Sequence, residues 1–171
     1  NVEVCHLHTE GDAPYANPEL AESFHVNSFF IGANVRHTLK AGNGSYTPVF
    51  LSELPLLFRK NVVKLDVAFI HVSPPDSHGY CSLGVSVEAS VAAIENAKIV
   101  IAQVNPQMPR TFGDGILHVS EIDYLVEVNL PIYAHAVTPF TAEEEKIGTY
   151  VASLIENKST LQMGIGSIPN A

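Results

Sequence analysis

Val67-Ala68-Phe69-Ile70-His71-Val72 is a six-residue, almost wholly apolar run, bounded by Asp66 before it and Ser73-Pro74-Pro75 after it. A strand with one solvated face alternates polar and apolar residues. A run with almost no polar positions reads as a strand buried on both faces, the signature of a parallel sheet with helices on both sides. Ile99-Val100-Ile101-Ala102-Gln103-Val104 repeats the pattern and stops at Asn105-Pro106. Between the two runs, residues 87–96 suit a helix, with Val87, Val91 and Ile94 spaced for one face. Strands alternating with helices predict an α/β fold class, an open and mainly parallel sheet with helices on both faces.

Outward from that centre the same period signals recur. Residues 2–8 alternate as a strand, and 24–31 are rich in aromatic and β-branched residues. Residues 34–40 form a short helix candidate that Gly42-Asn43-Gly44 would close. A short strand is expected over 47–51. A helix is expected over 53–60, with Ser52 as its cap and Pro55 in its first turn. Further short strands are expected over 124–128, 132–136 and 161–163. A helix over 141–157 starts at the capping-box pair Thr141 and Glu144 and carries the stripe Ile147, Tyr150, Val151, Leu154 and Ile155, with Asn157 as its stop. No repeat or low-complexity linker interrupts this series.

Composition narrows the function. The 171 residues suffice for one domain with its own core; 46% are hydrophobic and 16% charged. No apolar run approaches the roughly 18–20 residues that a membrane helix needs, and no basic, apolar leader opens the chain, so the expectation is a cytoplasmic protein off the membrane. The formal net charge of −9, with no lysine or arginine stripe, argues against a nucleic-acid partner. Cys5 and Cys81 lie far apart, outside any metal or redox spacing, and read as reduced, buried thiols. His6 and His8 have the spacing of a strand metal pair. No third ligand stands at a recognisable distance, so no metal site is expected.

Three loops could carry chemistry. Residues 73–84 follow the first apolar strand, and 105–115 follow the second. Both therefore sit at strand C-terminal edges, where open α/β sheets collect ligands. His78 is titratable. Arg110 either grips a carboxylate or phosphate with its fork or stands solvated on a turn. The third loop is Gly164-Ile165-Gly166-Ser167-Ile168-Pro169, read as strand, glycine turn and helix start, a geometry that presents free N–H groups to an anion. Alone, it reads equally as a plain turn. The Glu143-Glu144-Glu145 run suits a helix N-terminus and reads as structural.

On residues 74–86, 104–113 and 162–171 the chain is similar to the acetyl-CoA hydrolase/transferase group, which includes 4-hydroxybutyrate and butyryl CoA-transferases. The resemblance covers nearly the whole chain. It implies two similar open α/β domains with the active site between them, residues 1–160 being the first domain without its leading segment and 161–171 the start of the second. It further implies covalent catalysis by a glutamate of the second domain, acylated and then carried as a glutamyl-CoA thioester. Gly164, Ile165, Gly166, Ser167 and Ile168 would be the CoA-contacting turn. Acyl-CoA and small carboxylates such as acetate, butyrate or 4-hydroxybutyrate would be the substrates, with no permanently bound cofactor, in a homo-oligomer, a dimer. None of Glu53, Glu88, Glu95, Glu121 and Glu127 stands in the context of that glutamate, so no catalytic residue is expected in these 171 residues, which by themselves would be inert. Acyl-CoA hydrolysis on the same scaffold and a non-catalytic CoA-binding module are the alternatives.

Overall fold

A computed structural model describes residues 1–134 and 139–171. They fall into two compact units, Asn1–Tyr133 and Ala134–Ala171. In the first unit the elements run β1 (Val2–His6), β2 (Phe24–Ser28), α1 (His37–Ala41), β3 (Gly44–Tyr46), α2 (Leu54–Arg59), β4 (Val67–Val72), β5 (Tyr80–Ser82), α3 (Ser90–Asn96), β6 (Ile99–Val104), β7 (Ile116–His118) and β8 (Tyr124–Glu127). The second unit holds α4 (Ala142–Ala152) and α5 (Ser167–Asn170).

The α/β class and the open parallel sheets are as the sequence predicts, with six of the eight strands divided between two parallel sheets. β1-β2-β3 form one parallel sheet and β4-β6-β8 another, while β5 and β7 make a separate antiparallel pair. β4 and β6 are the two apolar runs, paired from Val67↔Ile99 to Val72↔Val104. Ala68, Ile70, Val72, Val100, Ala102 and Val104 bury one face beneath Ile94 of α3, together with Cys81, Leu83 and Leu117.

The other face departs from the prediction. Val67, Phe69, Ile99, Tyr124 and Val126 lie on it and are exposed, Phe69 to 69%. The cause is the connections: α3 crosses on the buried face, and the β6-to-β8 crossover supplies Leu117, Val119 and Ile122 to that same face. Within this unit no helix reaches the opposite side.

The first sheet is covered on both faces. Ala13, Ala16 and Val35 pack on Val26. On the other side Phe29, Leu54, Phe58 and Ala92 form a cluster with Cys5 and Leu7. The Phe29 and Phe58 rings meet edge to face at 6.0 Å. Ala92 belongs to α3, so this cluster ties α3 to the first sheet as well as to the second.

Several boundaries differ from expectation for local reasons. The strand expected over 47–51 lies at Gly44–Tyr46 instead; Pro48 has no N–H to continue a ladder. α2 begins at Leu54 and takes no side-chain cap from Ser52. α4 keeps its capping box but ends at Ala152, short of Asn157. There the Ser153 hydroxyl donates to the Tyr150 carbonyl at 2.7 Å, a local bond that competes with further helix. The stripe residues Tyr150 and Leu154 are exposed. Residues 161–163 form no strand, and neither do 132–134; His135 and Ala136 lie outside the described residues.

His6 carries a pH consequence. Both its ring nitrogens are buried without a hydrogen-bond partner, and Tyr15 packs edge-on at 6.2 Å. Burial, and then the nearby His8, lower its pKa below the ordinary histidine range. A depressed folded-state pKa means the unfolded chain takes the proton first. The stability His6 contributes is therefore present above its unfolded value of about 6.5 and is lost as pH falls below it. His71, lowered by burial alone, acts in the same direction. Urea midpoints should drop between pH 7.5 and 5, and a His6→Leu variant should show a shallower drop. An unchanged slope in that variant would assign the effect elsewhere.

Candidate functional site

β4 and β6 both release their chains at the same edge, because they are parallel and in register. The loops that follow, 73–79 and 105–115, therefore start side by side, and hydrogen bonds weld them together. Asp76 is the first weld. Its Oδ1 accepts the N–H groups of His78 and Tyr80, each at 2.9 Å, and its Oδ2 accepts Arg110 Nη2 at 2.8 Å. Arg110 Nη1 donates to the Tyr80 carbonyl at 2.9 Å. The Tyr80 N–H leads the influences that hold the Asp76 carboxyl below the usual carboxylate range, with the His78 N–H and the Arg110 charge adding to it. The fork of Arg110 does grip a carboxylate, but one from its own chain.

Ser82 is the second weld and is completely buried. Its Oγ accepts the N–H groups of Gly84 at 3.1 Å and Thr111 at 3.0 Å, and lies 3.1 Å from the Thr111 carbonyl, to which it donates. The Thr111 hydroxyl donates to the Gly84 carbonyl at 3.0 Å. Gly84 sits at φ +59, and a Cβ there would strike the Met108 side chain and come within 2.9 Å of the Pro109 carbonyl. Buried Asn105 closes the far side. Its amide donates to the Leu130 carbonyl at 2.8 Å and its Oδ1 accepts the Gln107 N–H at 3.1 Å.

Sequence reasoning did not find β5, which lies inside the predicted loop 73–84, or β7, which follows the predicted loop 105–115. His78 contributes its carbonyl, 3.1 Å from Nε2 of His118, and the His118 ring meets Tyr80 edge-on at 5.1 Å. Among the described residues, no three His, Cys, Asp or Glu side chains converge to hold a metal. His8 pairs with Glu10 at 2.7 Å. Cys81 is buried, which pushes its thiol up. The Cys5 thiol is pushed up to about 12 by burial, and then by Glu3. Neither thiol is a ready nucleophile. Of the glutamates weighed, Glu95 pairs with Arg59 at 2.9 Å and Glu121 accepts the His118 N–H at 3.0 Å.

The glycine turn belongs to the second unit. Gly166 takes φ +124, Ile165 is fully exposed, and Ser167 opens the four-residue α5. The Glu144 carboxylate reaches this segment. The Ser167 hydroxyl is the leading influence holding the Glu144 carboxyl below its usual range, followed by the Thr141 N–H.

Residues 1–135 match the acetyl-CoA hydrolase/transferase N-terminal domain. The chain belongs to this family. It is 45% identical to the succinyl-CoA:acetate/propanoyl-CoA:succinate CoA transferase of Fasciola hepatica, over 100% of this chain and 36% of the relative. It is 44% identical to the 4-hydroxybutyrate coenzyme A transferase of Clostridium kluyveri, over 99% of this chain and 40% of that one. Among solved structures, RipA from Yersinia pestis superposes with a TM-score of 0.88 at 30% identity, covering 98% of this chain and 41% of RipA. A 4-hydroxybutyrate CoA-transferase from Porphyromonas gingivalis does so with a TM-score of 0.72 at 33% identity, covering 98% of this chain and 45% of that one. The chain thus spans less than half the length of these relatives. Among the described residues of this family member, no helix is long and apolar enough to cross a membrane.

Proposed function

We propose that the protein is a CoA-transferase that moves coenzyme A between an acyl-CoA and a small carboxylic acid of the acetate, butyrate or 4-hydroxybutyrate class. The observation that carries the reading is identity of 44–45% with two named CoA transferases along essentially the entire chain. In the proposed chemistry a glutamate carboxylate from outside these 171 residues attacks the thioester carbonyl, and the CoA thiolate leaves, giving a mixed anhydride. The thiolate then attacks the glutamyl carbonyl, releasing the first carboxylate and forming glutamyl-CoA. The acceptor carboxylate repeats the two steps in reverse and departs as the new thioester. One thioester is exchanged for another, so no cofactor or external energy source is required; CoA is a substrate.

Within this reading, residues 1–160 belong to the first domain and 161–171 begin the second, and the turn Gly164-Ile165-Gly166-Ser167-Ile168 contacts CoA. Its exposed backbone and glycine-permitted φ at Gly166 are compatible with close approach of a ligand. The cytoplasmic setting and homodimeric assembly belong to the same proposal. The uncovered apolar face of β4, β6 and β8 supports an assembled state.

The test is mass spectrometry of the full-length protein after incubation with acyl-CoA. A CoA adduct on one glutamate-containing peptide, discharged by added acetate, is the expected result. Free acid accumulating without an adduct would point to hydrolysis, and no turnover with CoA bound would leave a binding module.

A further inference from the structure

A guanidinium carries more N–H donors than one carboxylate can take. Arg110 gives Nη2 to Asp76 Oδ2 at 2.8 Å and Nη1 to the Tyr80 carbonyl at 2.9 Å. Its other N–H groups have no partner among the described residues, and the side chain is 36% exposed. Asp76 is itself held by the His78 and Tyr80 N–H groups. The two bonds therefore fix the plane of the guanidinium, and its remaining donors face outward in set directions. They do so in the loop after β6, at the C-terminal edge where open parallel sheets collect ligands.

Phe112 stands two residues on and is 88% exposed. Singly exposed apolar residues are common; what distinguishes this one is the backbone that presents it. Thr111, between the two, donates its N–H to Ser82 Oγ at 3.0 Å and its hydroxyl to the Gly84 carbonyl at 3.0 Å. An oriented set of cationic donors and an uncovered phenyl ring thus flank one pinned residue.

We propose that Arg110 and Phe112 form a binding site for a small aliphatic carboxylate, the Arg110 donors taking the carboxylate oxygens and the Phe112 ring contacting the hydrocarbon chain. Charge selects a carboxylate over a phosphate. The Arg110–Asp76 pair has no net charge, and the chain as a whole carries −9. Charge-assisted hydrogen bonds hold a monoanion there, whereas a doubly charged phosphate would face the Asp76 carboxylate with no surplus cation to offset it. Asp76 is a positioning residue, acting through Arg110. The site rests on the CoA-transferase reading for the role of the acid as acyl acceptor, and on geometry alone for its binding.

The experiment titrates the full-length protein with acetate, butyrate and CoA, following binding by calorimetry. Wild type should bind butyrate about fourfold more tightly than acetate, because the ring removes part of the longer chain from water. Arg110→Gln should weaken both acids about tenfold or more and leave CoA unchanged. Phe112→Ala should abolish the preference for butyrate and leave acetate binding as it was. Phenylglyoxal labelling of Arg110, mapped by mass spectrometry of peptides, should slow in butyrate and not in inorganic phosphate.

Wild-type affinity for both acids in Arg110→Gln would overturn the site. So would an equal loss of CoA binding, protection of Arg110 by phosphate alone, or a butyrate preference that survives Phe112→Ala. Phe112→Ala removes an exposed ring and keeps every hydrogen bond of the loop, so it and the labelling of wild type decide the matter even where Arg110→Gln fails to fold. If the acids bind as expected and the wild-type protein transfers no CoA, the functional reading falls and the site stands.

Discussion

Gly84→Ala is expected to lower stability by about 3 kcal/mol, and the melting temperature by roughly 10 °C. Two effects add. Residue 84 holds φ +59, the left-handed region, where a Cβ costs about 1–2 kcal/mol. The new methyl group would also meet the Met108 side chain and the Pro109 carbonyl. Met108 is buried, and Pro109 precedes the residue whose guanidinium grips Asp76, so neither has room to yield cheaply. Thermal or urea unfolding of the variant checks the figure. A loss below about 0.5 kcal/mol, the range of an ordinary surface change, would mean the loops are far softer than their hydrogen bonds imply.

Ser82→Ala should cost a similar amount by a different route. The hydroxyl is the acceptor for two N–H groups, that of buried Gly84 and that of half-buried Thr111. Deleting it leaves both donors unsatisfied, at about 1–3 kcal/mol each, so a total near 3 kcal/mol is expected. No side chain grows and no backbone strain is introduced, so this loss comes from hydrogen bonding alone. Thr111→Val gives the cross-check. Thr111 and Ser82 belong to one network, so the double variant should lose clearly less than the sum of the two single losses. Strict additivity, measured by urea unfolding, would show that Ser82 and Thr111 do not act as a unit.

The strongest features of the fold were legible because the chain spells them locally. The almost wholly apolar run at 67–72 and its counterpart at 99–104 define β4 and β6 to the residue. Thr141 and Glu144 announce the start of α4. What failed needed information from elsewhere in the chain. Whether Phe69 is covered depends on which side later crossovers take, and the sequence around Phe69 is silent on that. β5 is three residues long, and its partner β7 follows only after α3 and β6; no local period reveals such a pair. The apolar residues Leu161 and Met163 suggested a strand, but among the described residues of their own unit none pairs with them.

The candidate site shows the same division. The loops after β4 and β6 were marked by their position at strand ends, and the geometry does bring them together. Arg110 read either as a fork for a carboxylate or phosphate or as a solvated arginine on a turn, and its fork is occupied by Asp76, from the other loop. Ser82 escaped notice because one serine among many has no sequence signature; only its burial and its three partners single it out. The Gly164–Ile168 turn was visible through its glycines and Pro169. The Glu143–Glu145 run read only as helix-end charge; the influence of Ser167 on the Glu144 carboxyl comes from the segment after α4, which no local pattern shows.

The bare face of β4, β6 and β8 has a meaning for biosynthesis. Translation proceeds from the N-terminus, so the first unit can close its three apolar clusters as soon as residue 133 clears the ribosome. At that moment Phe69 and Tyr124 still face water. The nascent chain thus passes through an interval in which a well-ordered sheet displays a sticky side.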